Sequence, residues 1–218
     1  MNKTKRNFII TAALFLLFAI FTVLVKTVDV AAIGPEGSSV GFSSINGYFF
    51  NTLGRSELFY EISDIFGKIA ILSAVCFALL GAYQLIKRKS LVKVDKCILL
   101  LAAFYVAVAI AYVLFEVVVI NYRPVILEEG LEVSYPSSHT MLATCFMSAA
   151  IIVLGRLFKD KKALKITSYV VCSAIIAVTV ICRLASGVHW FTDILGGVLL
   201  SAALVMLYVS ALSFFEKE

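Results

Sequence analysis

Two histidines occur in this 218-residue chain, and each stands among residues that could do chemistry with it. His139 ends the stretch "YPSSH", where an apolar run begins. His189 follows Arg183 by six residues and precedes Asp193 by four, in "CRLASGVHWFTD". Arg123, followed by Pro124, lies ahead of both. A guanidinium fork matches phosphate oxygens bidentately and stays charged at physiological pH, so two arginines point to an anion of that shape. Ser137 or Ser138 can cap the helix that starts there, and its free N–H groups and dipole favour the same anion. On a helix starting near Val188, His189 and Asp193 share a face. The carboxylate can then orient one ring nitrogen and leave the other unprotonated and nucleophilic. His139 is left to protonate a departing oxygen. The chemistry suggested is phosphoryl transfer.

Each of these residues alone has a plainer reading. A lone interfacial histidine is usually an amphipathic anchor, Arg-Pro at a span end a snorkelling charge and a helix stop, and a serine an ordinary cap. Trp190 reads as a headgroup-level belt residue. It is their joint order and spacing that chance seldom produces.

The elements that must position them are membrane spans. The chain is 61% hydrophobic and 15% charged, too apolar for a soluble domain, where charge nears a quarter. Six apolar runs approach the roughly 20 residues needed to cross a bilayer: 8–28, 65–86, 97–120, 141–158, 166–184 and 194–215. The first is longer than the apolar core of a signal peptide and reads as a retained anchor. The expected fold is all-α, a polytopic six-helix bundle forming one domain over 1–218. "FSSINGYFFNTL" in the first outer loop alternates well enough for a short interfacial helix. Fourteen of the nineteen basic residues, Lys217 among them, cluster before span one and after spans two, four and six. The positive-inside rule makes that side cytoplasmic, holds both termini there and turns both histidines outward. A cytoplasmic (plasma) membrane location is expected. The net charge of +5 is explained by the inner leaflet and calls for no nucleic acid. The five cysteines (Cys76, Cys97, Cys145, Cys172, Cys182) show neither CxxC nor Cys/His ligand spacing, so no zinc site or disulfide framework is indicated.

Taken in order, "EVVVINYRP", "PSSH" and "CRLASGVHWFTD" resemble the three-part signature K-x6-RP, PSGH and SR-x5-H-x3-D of the type 2 phosphatidic acid phosphatases, the lipid phosphate phosphatases. The resemblance spans the six-span layout and nearly the whole second half. It implies that His189 is a nucleophile forming a phosphohistidine, with Asp193 orienting it and His139 as the acid. Arg123, Arg183, Ser137 and Ser138 would hold the phosphate, with no metal and no cofactor. The implied partner is a membrane lipid phosphate or diphosphate met in the bilayer. Undecaprenyl diphosphate, phosphatidic acid and phosphatidylglycerol phosphate are the candidates the family suggests. Two further readings are a lipid phosphotransferase using the same histidine and a lipid-phosphate binder or transporter without catalysis.

Three positions depart from the signature. Ser138 replaces a glycine, which matters only if its backbone is left-handed. Cys182 replaces a serine and is the weaker donor. Glu116 stands where the lysine belongs, and a carboxylate repels phosphate. A carboxylate about 6 Å below a span end, at 1.5 Å per residue, needs a cation. Lys68, at similar depth in a neighbouring span, is the expected partner; the alternatives are Arg123, or no partner at all with Glu116 snorkelling outward.

Overall fold

The computed structural model describes residues 2–127 and 130–215, so Glu129, expected to face outward, and Lys217 lie outside the described residues. Seven α-helices follow in chain order: α1 Lys3–Thr27, α2 Ser43–Leu53, α3 Glu57–Arg88, α4 Lys96–Val117, α5 Ser138–Leu157, α6 Lys162–Ala185 and α7 Phe191–Phe215. All but α2 are long and apolar enough to cross a membrane, and the chain is an integral membrane protein. Their side chains are apolar on nearly every face, as suits a helix bordered by lipid on one side and protein on the other.

α5 and α7 form the centre. α7 packs on α1, α5 and α4, and α5 packs on α6, α3 and α7. Both carry small buried residues, Ala143, Ala149 and Ala150 on α5 and Gly196, Gly197, Ser201 and Ala203 on α7, and Ser201 Oγ donates to Met141 O between them (3.2 Å). These let the backbones approach closely, the means by which helices associate where lipid is as apolar as leucine. A Cβ at Gly196 would collide with the Tyr135 ring, and one at Gly197 would crowd Ser137 and Thr140, so this pair seats the start of α5. α1 joins α7 through polar groups: Thr4 Oγ1 donates to Ser213 O (3.0 Å), Asn7 Nδ2 to Ser213 Oγ (2.8 Å), and Thr11 meets Ser210 (2.9 Å). The first residues of α1 and the last of α7 therefore share one end of the bundle. Lys96, at the start of α4, reaches Phe215 O there (3.1 Å).

The opposite end is built from α2 and the connecting loops. Asp29 caps α2, accepting from Ser44 N (2.8 Å) and Ser43 Oγ (2.9 Å), and these bonds hold its carboxyl below the usual range. Asn46, buried on α2, donates to Gly41 O and to Thr192 Oγ1 and accepts from Thr192 N (3.1 Å), so it satisfies an N–H in the first turn of α7. Phe49 stacks on Phe191 with ring centroids 4.4 Å apart.

Four expectations change. α3 begins at Glu57, eight residues before the expected span, and at about 1.5 Å per residue its 32 residues run roughly 48 Å, well past a 30 Å hydrocarbon core. α4 ends at Val117, so Arg123 lies beyond it on a hairpin-like segment where Tyr122 bridges Val133, and it does not continue the helix face of Glu116. α3 and α4 are neighbours only in the halves next to their loop, where Phe77, Gly81, Ile98 and Tyr105 line one cavity. Asp95 ties them at their loop, accepting from Gln84 (2.8 Å) and Arg88 (2.7 Å), after which α3 turns to α5 and α6, and α4 to α7. Trp190 is not a belt residue: it is 2% exposed, and its Nε1 donates to Tyr122 O (2.7 Å).

Candidate active site

Arg123, His139, Arg183, His189 and Asp193 all stand at the end of the bundle opposite the helix termini just described. Each is delivered by a different local device. His189 lies in the 186–190 turn between α6 and α7, short of the helix expected to carry it, since α7 starts at Phe191. That turn leans on the junction before α3: Ser56 N donates to Ser186 O (3.2 Å). Gly187 has φ +67°, and a Cβ there would strike Gly54 O, so the turn needs glycine on both counts.

Asp193, one turn into α7 and fully buried, accepts from Trp190 N (2.9 Å) and Asn121 Nδ2 (3.2 Å). Its Oδ2 lies 3.6 Å from His189 Nδ1, an orienting contact too long for a hydrogen bond. His189 Nε2 lies 3.1 Å from Arg123 Nη1. A guanidinium can only donate, so Nε2 is the acceptor and the ring proton sits on Nδ1, towards Asp193. Burial, then Arg123 and Arg183, push the His189 pKa well below its ordinary value. A neutral ring with an unprotonated Nε2 beside two arginines has the chemistry to act as a nucleophile on an anion that they hold.

Arg123 also donates to Val188 O (3.3 Å), and its Nε meets Glu132 at 2.8 Å. Arg183, in the last turn of α6, is 1% exposed, with its guanidinium 5.1 Å from the Tyr60 ring centre. Its Nε and Nη2 find no acceptor among the described residues. A buried, unsatisfied cation is costly unless a ligand supplies acceptors. His139 follows two serines at the start of α5. Ser137 caps that helix, its Oγ accepting from Thr140 N (3.4 Å), while Ser137 N donates to Asp193 O (3.0 Å). Ser138, the first helical residue, has no positive φ, so serine meets no backbone conflict in place of glycine.

Two cavities reach this cluster. Arg123, Glu132, Tyr60 and His139 line one. His189, Ser138, Glu116 and Tyr112 line the other, from the α4 side. Arg123 bridges them, bonded to His189 and shared with His139. The described residues contain no group of three or more His, Cys, Asp or Glu able to hold a metal.

The model of the PAP2 superfamily matches residues 100–216, more than half of the chain. The chain belongs to the PAP2 superfamily. No curated protein matches it. Its fold matches the solved structure of the first transmembrane PAP2 type phosphatidylglycerolphosphate phosphatase from Bacillus subtilis. The TM-score is 0.67 at 23% identity, covering 95% of this chain and 96% of that one.

Against the PAP2 signature, the structure gathers the two histidines, Asp193, the two arginines and both serines. Cys182 is buried beside Arg183, but its thiol makes no hydrogen bond among the described residues and lines neither cavity. Lys68 does not pair with Glu116. Its Nζ meets Asp64 Oδ2 at 2.7 Å, one turn back on α3, which costs less side-chain ordering than a reach across diverging helices. Arg123 takes Glu132 as its carboxylate, so Glu116 keeps no ion pair among the described residues and faces the cavity that reaches His189. Sequence reasoning missed Tyr60, Asp64, Asn121 and Glu132, all of which touch site residues. The one available signal was the density of carboxylates just before the second span.

Proposed function

We propose that this protein is a membrane phosphatase that removes phosphate from a lipid phosphate presented at the bilayer surface. The observation that supports this best is the pairing of an unprotonated, buried His189 Nε2 with a buried guanidinium, Arg183, that has donors to spare. On this reading phosphate oxygens take up the free N–H groups of Arg183 and draw Arg123 off Nε2. The Nε2 lone pair attacks phosphorus, and a P–N bond forms as the P–O bond to the lipid alcohol breaks. His139, as imidazolium, gives its proton to the leaving oxygen. Water then attacks phosphorus, losing a proton to His139, and inorganic phosphate leaves with Nε2 restored. The arginines and the α5 start carry the developing charge, so no divalent ion is called for.

The basic inner loops favour an extracytoplasmic site, with both termini cytoplasmic. A phosphate monoester such as phosphatidic acid or phosphatidylglycerol phosphate suits two arginines, and the second of these is what the Bacillus subtilis neighbour acts on. One observation favours the non-catalytic binder instead, the carboxylate of Glu116 lining the His189 cavity. Against it stands the complete set of nucleophile, orienting carboxylate and acid.

The deciding experiment is phosphate release by purified protein from a panel of lipid phosphates, in chelator, with His189→Ala as control. Release with an acid-labile, base-stable phosphoenzyme is expected, and both must vanish in His189→Ala. Transfer to another lipid without free phosphate would identify a phosphotransferase, and tight binding without turnover a binder.

A further inference from the structure

The signature motifs account for His139 but not for what holds it. Its ring lies against α3, where Asp64 Oδ1 is 3.3 Å from His139 Nε2 and Lys68 Nζ is 2.7 Å from Asp64 Oδ2. One turn along, Gly67 leaves room for the ring: a Cβ there would come within 3.0 Å of His139 Cδ2. The face of α3 formed by Asp64, Gly67 and Lys68 is thus shaped to the imidazole.

We propose that Asp64, steadied by Lys68, is the positioning residue of the acid, holding the His139 Nε2–H so that Nδ1 delivers the proton to the leaving oxygen. This rests on the phosphatase reading above. Nδ1 is buried and has no partner among the described residues, which leaves it for the substrate. In the first half-reaction the Nδ1 proton passes to the alkoxide oxygen as the P–O bond breaks. The neutral ring keeps its Nε2–H on Asp64, and the Nδ1 lone pair then accepts a proton from the attacking water. Around His139 the charged and titratable groups are Tyr60, Asp64 and Lys68 on α3 and Arg183 on α6. Arg123 and Glu132 on the hairpin and His189 before α7 complete the set, with Arg55 and Glu57 at the cavity rim. Burial and two guanidiniums oppose an imidazolium here, and among the described residues Asp64 supplies the carboxylate that touches the ring and works against them.

The test uses full-length protein in detergent, with a short-chain phosphatidic acid and with p-nitrophenyl phosphate, whose leaving group needs no proton. Asp64→Asn should slow phosphoenzyme formation from the lipid roughly tenfold to a hundredfold, within the range of lost general acid catalysis, and spare phosphoenzyme formation from the aryl phosphate, read as the burst of p-nitrophenolate. The alkaline limb of the lipid pH profile, set by loss of the His139 proton, should move about one unit towards acid. Asp64→Glu should recover part of the loss. Lys68→Met frees the full charge of Asp64 and should move the limb the opposite way, which also serves if Asp64→Asn fails to fold. Equal losses in phosphoenzyme formation from both substrates, or unmoved limbs in both variants, would overturn the assignment. An NMR titration of His139 separates this from the phosphatase reading. A midpoint lowered by Asp64→Asn in a protein that releases no phosphate would sink that reading alone, and an unmoved midpoint would sink the positioning role.

Discussion

His189 is one of two histidines, which makes its state directly measurable. Burial and the two arginines hold its pKa well below that of a free imidazole, so the neutral form persists as pH falls. A nitrogen-resolved NMR titration, assigned with His139→Gln, should find His189 Nε2 still unprotonated at pH 6, where a free imidazole would be mostly charged. A midpoint near 6.5 would contradict the environment described. Glu116 permits a second prediction: with no ion pair among the described residues and a place on the His189 cavity wall, its carboxylate would oppose a dianion there. Glu116→Gln should lower KM for a phosphate monoester severalfold, and Glu116→Lys should favour diphosphates over monoesters more than the wild type does. Unchanged KM in both would place Glu116 outside the substrate path. Residues whose meaning is local were legible in the sequence: Arg-Pro, the two serines before His139, and the four-residue step from His189 to Asp193. Asp64 was not, because 75 residues separate it from His139 and only helix packing joins them.

At the level of elements, six apolar runs and one amphipathic stretch were enough to foresee six spans and α2, since lipid demands long uninterrupted apolar helices. The first turns of α3 escaped because Glu57, Glu61 and Asp64 break the hydropathy while leaving the helix intact. Those turns carry Tyr60 to Arg183 and Asp64 to His139. The path of α3 after its loop was equally hidden, since sequential elements adjoin in only about two-thirds of cases. α2 is the more testable element. Asn46 → Ala would strip the Thr192 N–H of its partner, and a buried unsatisfied donor costs about 1–3 kcal/mol. A lower Tm is expected, together with a reduced kcat because Thr192 adjoins Asp193. Full stability would show that α2 is only laid against the bundle.

For the whole molecule, sidedness is the quantity to measure. Glu36 is exposed in the turn before α2, and Lys161 is exposed between α5 and α6, at opposite ends of the bundle. Cysteine at Glu36 should react with an impermeant maleimide in intact cells, and cysteine at Lys161 only after lysis; the reverse pattern would invert the proposed topology. The polar seam between α1 and α7 bears on how the protein is made. Thr4, Asn7 and Thr11 find their partners at Ser210 and Ser213, about two hundred residues further along the chain. At about 5–20 residues per second, α1 waits on the order of 10–40 s in the membrane before those serines are synthesised. During that interval its amide and hydroxyls have no α7 to bind, which makes the nascent chain a client for whatever insertion machinery shelters polar side chains from lipid. His189, the proposed nucleophile, is also translated late, about twenty residues before those serines.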